Sequence, residues 1–222
     1  MRIFFYLVIC YFTFIYASLP NDVRWVRESK EYVALCNQIY ANAISKLKHT
    51  ISSNQYSLNI LHNNYAVVMD LDETVLDNSD YQVMLYDKNE KYNPDSWDEW
   101  VLKEEARLVP GAYEYINFLR NNNIQIIFIS NRMDKRLEET KSNMKKMKIY
   151  SSDDIYLLRI DRADKKTIRR AEIFDSTGRM KDYKEFKIIQ YLGDAIGDFE
   201  TESLDRFGLD QFVFPNPMYG KW

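Results

Sequence analysis

The chain has 222 residues, enough for one domain of ordinary size with room for insertions. Hydrophobic residues make up 46% and charged residues 28%, a composition typical of a chain that buries a core. The formal net charge is −3 and no long basic run occurs, which argues against binding to a nucleic-acid polymer.

The N-terminal segment has the pattern of a secretory signal peptide. A positively charged start is followed by fourteen uncharged residues (3–16) and by the small residue Ala17. The apolar run is short for a membrane span, which needs about 20 residues. We therefore predict a signal peptide over 1–17 and a mature chain of 18–222 that has no membrane span. The mature chain is expected to be exported, either to the periplasm or into the medium, and an uncleaved anchor is the alternative.

The two cysteines predict neither lipidation nor a disulfide. Cys10 lies inside the apolar run and follows Ile9, where a lipoprotein would need a small residue. Once the signal peptide is removed, Cys36 is the only cysteine, which excludes an intramolecular disulfide. We expect Cys36 to be a buried structural thiol.

The pattern of apolar residues predicts a helical start and then alternating strands and helices. Residues 22–62 have apolar positions near helical spacing. Short apolar runs predict strands at 65–71, 124–130, 155–160, 187–193 and 211–214, and amphipathic stretches predict helices at 110–122, 134–148 and 164–175. This alternation predicts an α/β fold, with a Rossmann-like, mostly parallel sheet that has helices on both faces.

The gap between the first two predicted strands is too long for a simple crossover. Within it, residues 78–107 are rich in Asp, Asn, Tyr and Trp. We interpret them as a small helical cap inserted into a single domain. Because ligands bind at the carboxyl ends of strands in such sheets, a cap here would wall the site.

Reactive side chains follow the predicted strands. The first strand leads to Asp70 and Asp72, the second to Ser130, the third to Lys166, and the fourth to Asp194 and Asp198. A parallel sheet brings these ends to one edge, where carboxylates would crowd unless a cation neutralised them. Oxygen ligands without a nearby histidine indicate a hard ion, Mg²⁺ above all. Lys166 and Ser130 could then hold a phosphate, with an aspartate as the nucleophile that forms an acyl-phosphate.

Other phosphatase chemistries lack their residues. The only histidines, His49 and His62, precede the predicted sheet and are too few for a histidine-rich binuclear site. Cys36 has no arginine six residues further on, and no Gly-x-x-x-x-Gly-Lys loop occurs. Of the phosphatase chemistries considered, an aspartate nucleophile is the one whose residues are present.

Four motifs, in order, carry a resemblance to a known superfamily. DLDET (70–74), Ser130, Lys166 and GDAIGD (193–198) resemble the motifs of the haloacid dehalogenase superfamily. More closely, the chain is similar over about 25–222 to class C bacterial acid phosphatases of the lipoprotein e type, subfamily IIIB. That similarity is carried by VVMDLDETVLDNSDYQ (67–82), SWDEWV (96–101), FISNR (128–132) and PNPMYGKW (215–222).

The resemblance implies a role for each matching residue. Asp70 would attack phosphorus, while Asp72 would protonate the leaving oxygen and then activate water. Asp70, Asp72 through its backbone carbonyl, and Asp194 would bind Mg²⁺, with Asp198 orienting a metal-bound water. Ser130 and Lys166 would hold the phosphoryl oxygens and Thr74 would position and complete the phosphate-binding loop.

Two further assignments follow from the same resemblance. Tyr92, Trp97 and Tyr219 would bracket the organic part of the substrate, since stacking on a flat group is physically reasonable. Lys166 is preferred to Lys165 because Arg169 follows it at the spacing of the family. The stretch 173–187 is longer than is usual in the family and is interpreted as an extra loop.

The predicted function is Mg²⁺-dependent hydrolysis of small phosphomonoesters, with nucleoside 5′-monophosphates as one substrate class. A phosphotransferase that passes the same aspartyl-phosphate to an alcohol is an alternative, as is a catalytically idle binding or storage protein. The expected partner is a small phosphomonoester, not a nucleic-acid polymer, and a homodimer is left open.

Overall fold

A computed structural model describes residues 18–52 and 64–220. The predicted signal peptide over 1–17 lies outside the described residues, as do the end of the predicted helical stretch and Trp222. Among the helices of the described ranges, none combines the length and the hydropathy needed to cross a bilayer.

The elements alternate along the chain as the apolar pattern predicts. Seven α-helices are described: α1 (Asn21–Glu28), α2 (Lys30–Ser52), α3 (Ser79–Asp87), α4 (Pro94–Lys103), α5 (Ala112–Asn121), α6 (Leu137–Lys146) and α7 (Lys166–Asp175). Seven strands accompany them: β1 (Asn64–Met69), β2 (Leu76–Asp77), β3 (Arg107–Leu108), β4 (Gln125–Met133), β5 (Ile155–Arg159), β6 (Phe186–Gly193) and β7 (Gln211–Val213).

Five strands form one parallel sheet in the order β5-β4-β1-β6-β7. Alternate residues of β1 enter two different hydrophobic clusters, with Val67 and Met69 on one face and Ala66 and Val68 on the other. A strand that is buried on both faces reads as an unbroken apolar run, which is why the sequence revealed it. The predicted α/β fold with a mostly parallel sheet is confirmed.

The predicted N-terminal helical stretch is divided at Ser29. The backbone of Ser29 is extended, and its hydroxyl oxygen accepts a hydrogen bond from the amide of Tyr32 at 3.0 Å. This is the geometry of an N-cap, so the side chain begins a new helix instead of continuing the first. In α2, the side chains of Cys36 and Tyr40 lie on the buried face. Cys36 is a free thiol, and burial raises its pKa to about 12.

The segment 78–107 stands between two short antiparallel strands. In β2 and β3, Leu76 pairs with Leu108 and Asp77 with Arg107, so the segment leaves and rejoins the domain at adjacent positions. We call this segment, which contains α3 and α4, the cap. Asn93 begins α4 by accepting a hydrogen bond from the amide of Ser96 at 2.8 Å, and Pro94 occupies the first turn.

Candidate active site

The central strands of the sheet bring three carboxylates together at their carboxyl ends. Asp70 follows β1 and Asp194 follows β6, and these strands are parallel neighbours. The amide of Asp70 donates a hydrogen bond to the carbonyl of Leu192 at 2.9 Å, which continues the pairing to the edge. One carboxylate oxygen each from Asp70, Asp194 and Asp198 lies within 4.8 Å of the other two.

Asp198 reaches this cluster because the chain turns back after β6. A short 3₁₀ helix covers Ile196–Asp198, and the Asp198 carboxylate accepts a hydrogen bond from the amide of Ala195 at 3.0 Å. Gly193 makes room for the turn, since a Cβ there would lie 2.4 Å from the Cβ of Asp198. The carboxylate of Asp198 lies with those of Asp70 and Asp194, and its role in orienting a metal-bound water stays a prediction.

Lys166 provides the positive charge of the cluster. Its Nζ lies 2.5 Å from a carboxylate oxygen of Asp70 and 2.5 Å from one of Asp198. Lys166 begins α7, whereas Lys165 precedes the helix and is exposed. The structure therefore places Lys166, and not Lys165, against Asp70.

The cluster carries more negative charge than Lys166 neutralises. Burial raises the pKa of Asp70 well above its ordinary value; Lys166 opposes this, and Asp198 and Asp194 add to it. Burial, followed by the charge of Asp198, raises the pKa of Asp194 to about 6. Buried carboxylates in such proximity need a proton or a further cation. Within the described ranges the donors of this cluster are all carboxylate oxygens, a set that fits a hard divalent ion.

Asp72 is held apart from the cluster by hydrogen-bond donors. Arg132 donates from Nε to a carboxylate oxygen of Asp72 at 2.8 Å, and Asn78 donates to the same oxygen at 3.0 Å. The hydroxyl of Ser130 lies 3.3 Å from the other carboxylate oxygen. Arg132 is only 1% exposed, so this ion pair is shielded from water on the arginine side. Asp72 thus occupies a cationic, hydrogen-bonded site next to the anionic cluster.

The remaining predicted phosphate contacts lie in buried positions. Ser130 and Thr74 are fully buried. The Thr74 carbonyl accepts a hydrogen bond from the hydroxyl of Tyr40 at 2.6 Å, while the Thr74 hydroxyl has no partner among the described residues. Arg169 fixes the end of β4, because it donates to the carbonyl of Ser130 at 2.5 Å and to the side chain of Asn131 at 2.8 Å.

The three predicted aromatic residues lie in two places. Trp97 and Tyr92 belong to the cap, and their rings stand 5.1 Å and 6.5 Å from the ring of Tyr81. The guanidinium of Arg132 lies 5.8 Å from the Trp97 ring, which connects Trp97 to Asp72. Tyr219 comes from the C-terminal segment and is 37% exposed. Their role in substrate binding stays a prediction.

Sequence reasoning gave no role to four residues that the structure places around the site. Arg132 and Asn78 contact Asp72 as described. Asn216 donates to the Asp194 carboxylate at 2.8 Å and accepts from the amide of Tyr219 at 3.4 Å. Glu73, buried and with a positive φ, accepts from the amide of Asn78 at 2.9 Å. All four stand in the motifs that carry the resemblance: Glu73 and Asn78 in 67–82, Arg132 at the end of FISNR and Asn216 second in PNPMYGKW.

DLDET follows the central strand β1 of the parallel sheet, and an acidic turn follows β6, the neighbour of β1 in the sheet. This arrangement defines an α/β protein of the haloacid dehalogenase fold class. A family model described as HAD superfamily, subfamily IIIB (acid phosphatase), matches residues 9–222, and the chain belongs to that family. The resemblance inferred from the motifs is confirmed. Phosphatases of this superfamily generally use a divalent metal, and the acidic cluster fits that requirement.

Solved structures and curated relatives agree with this assignment. The class C acid phosphatase from Bacillus anthracis shares the fold with a TM-score of 0.76 and 28% identity, over 90% of this chain and 84% of its own. A structure of that enzyme with tungstate bound matches equally well. Two plant proteins, the stem 31 kDa and stem 28 kDa glycoproteins of Glycine max, are 27% and 29% identical over 72% of this chain. The chain spans 61% of the length of these two relatives.

Proposed function

We propose that this protein hydrolyses small phosphomonoesters through an aspartyl-phosphate on Asp70. The observation that carries the proposal is the buried Asp70 carboxylate at the end of the central strand, 2.5 Å from the ammonium of Lys166 and beside two further carboxylates. A carboxylate held next to a cation can approach a phosphoryl group that the same cation neutralises.

The reaction divides between the two aspartates. An oxygen of Asp70 attacks phosphorus and the bond from phosphorus to the ester oxygen breaks. Asp72, protonated in this step on the carboxylate oxygen that Arg132 does not contact, donates that proton to the departing alcohol. Asp72, now a carboxylate beside Arg132, takes a proton from water, which attacks the acyl-phosphate and releases inorganic phosphate. Both aspartates then return to their starting states. Lys166, Ser130 and Thr74 are proposed to contact the phosphoryl oxygens.

The metal in this proposal is Mg²⁺, held by Asp70, Asp194 and the backbone carbonyl of Asp72. Asp198, whose carboxylate lies beside those of Asp70 and Asp194, would orient a metal-bound water. When bound, the ion supplies positive charge that offsets the crowded carboxylates and the phosphoryl oxygens. The preference for Mg²⁺ is supported by the oxygen-only donor set. The tungstate in the Bacillus anthracis structure is a tetrahedral oxyanion like phosphate, which supports an oxyanion site in this family.

The substrate and the location of the protein are part of the same proposal. The aromatic rings of Trp97, Tyr92 and Tyr219 support a flat organic group, such as the base of a nucleoside 5′-monophosphate. Export of the mature chain is supported by the charged start and apolar run of residues 1–17.

Removal of metal is the first test of this proposal. We expect chelator treatment to lower the hydrolysis of aryl, sugar and nucleoside phosphates by roughly 100-fold or more, and added Mg²⁺ to restore it, because the carboxylates would again repel the phosphoryl group. Released phosphate and alcohol should be measured together, with and without a second alcohol present. Undiminished hydrolysis after exhaustive chelation would contradict the metal site, and phosphate appearing on the added alcohol would favour the phosphotransferase.

A further inference from the structure

The cap forms an ion pair with the segment after β4 through a carboxylate that the proposed chemistry does not use. Asp98, on α4, accepts two hydrogen bonds from the guanidinium of Arg136, at 2.9 Å from Nε and 2.5 Å from a terminal nitrogen. Lys135 lies 3.1 Å from the same carboxylate. A two-point bond between a planar guanidinium and a carboxylate fixes orientation as well as distance.

The partners of Asp98 follow directly after the strand that carries Ser130. Lys135 and Arg136 lie in a short 3₁₀ helix, Asp134–Arg136, that continues from β4. The neighbouring side chain on α4, Trp97, stands beside Arg132 of the same strand, with 5.8 Å between the guanidinium and the ring. Two adjacent residues of α4 therefore contact two positions of one segment, close to Asp72.

The two halves of α4 are held in different ways. Trp100 and Val101, in its second half, are buried in the core. In its first half, Ser96 contacts the hydroxyl of Tyr81 at 2.8 Å, within the cap. Asp98 provides the ion pair that joins this first half to the β4 segment. Trp97, next to Asp98 in the same half, is only partly buried and packs against the core cluster and the ring of Tyr81.

We infer that Asp98 is a positioning residue that sets Trp97 at the mouth of the site and thereby selects substrates with a flat organic group. This inference rests on the proposed function and adds a determinant of its substrate selectivity. The hydrogen bonds from Arg136 lower the pKa of Asp98 to about 2, so the ion pair is kept above that pH and is lost only as the pH falls through it.

A matched pair of substrates isolates the contribution of the flat group. A nucleoside 5′-monophosphate and ribose 5-phosphate have the same kind of leaving alcohol and differ by the base. We expect Asp98→Ala to lower kcat/KM for the nucleotide about tenfold, mainly through KM, and to change ribose 5-phosphate by less than about twofold. The control is Glu99→Ala, which removes an exposed carboxylate from the same helix and should leave both substrates unchanged.

A double-mutant cycle tests the ion pair itself. The Asp98–Arg136 pair is already lost in Asp98→Ala. The double alanine variant also loses the contact of Arg136 with Glu139, but its preference between the two substrates should equal that of Asp98→Ala. Asp98→Asn, which keeps the shape of the side chain, should have a smaller effect and covers the case in which Asp98→Ala does not fold. Equal losses on both substrates, no loss on either, or a wild-type protein that does not prefer the nucleotide would each overturn the inference while leaving the phosphatase standing. A wild-type protein without activity on either substrate would overturn the proposed function as well.

Discussion

Replacing Asp70 with asparagine is expected to lower the turnover number by roughly four to six orders of magnitude, because the amide cannot form the acyl-phosphate. The fold should survive, since the change removes a buried negative charge from a group of three crowded carboxylates. Turnover on a chromogenic aryl phosphate and the melting temperature should be measured together. A melting temperature within about 5 °C of the wild-type value would show that lost activity is not lost structure.

Asp182→Asn is the matched control for this variant. Asp182 is an exposed aspartate of the 173–187 segment, and its replacement should leave turnover unchanged. If Asp70→Asn kept wild-type turnover while Asp72→Asn lost it, the nucleophile would have been assigned to the wrong aspartate.

Arg132→Met is expected to produce the second large loss of activity, and the fall in kcat should depend on the leaving group of the ester. Arg132 is buried and supports Asp72, the proposed acid, with a 2.8 Å hydrogen bond. We expect kcat to fall roughly 100- to 1000-fold for alkyl phosphates, whose alcohols need a proton to depart. Aryl phosphates with acidic phenols should lose much less. The measurement is kcat across a series of esters with graded leaving-group pKa.

Stability must be followed in the same variants. Removing one partner of a buried ion pair costs about 3 kcal/mol of unfolding free energy, so Arg132→Met should be destabilised. Arg132→Lys keeps the charge and loses the planar fork, and it should be intermediate in both stability and activity. Arg162→Met, at an exposed arginine, is the control. A uniform loss across all esters would show that Arg132 supports the fold and has no special relation to Asp72.

The sheet and the acidic edge were predictable because each depends on local sequence. β1 and β4 are apolar on both faces, so their strands stood out as unbroken runs, and parallel strands place their carboxyl ends together. Asp70, Asp194 and Lys166 were therefore found from the residues that follow each strand.

The supporting contacts were not predictable because they depend on tertiary packing. Arg132 could have pointed to solvent, and only the cap and the 70–78 turn, folded against it, give it Asp72 and Asn78 as partners. Asn216 meets Asp194 across 22 residues, and Asp98 meets Arg136 across 38. No periodicity in the sequence records such pairs. The break at Ser29 did have a local signal, because a serine can cap a helix by accepting a hydrogen bond from the amide three residues later. The helical spacing of apolar residues does not show this signal.

The aspartyl-phosphate on Asp70 is tested most directly by identifying the residue that carries phosphorus during turnover. Protein quenched in acid while hydrolysing a phosphomonoester should yield a peptide with one added phosphoryl group on Asp70, and Asp72→Asn should accumulate more of it, since the base that activates water is missing. The Asp70→Asn protein should yield none. A phosphoryl group on any other side chain, or steady hydrolysis with no phosphorylated peptide in either protein, would contradict an aspartyl-phosphate at the end of the central strand.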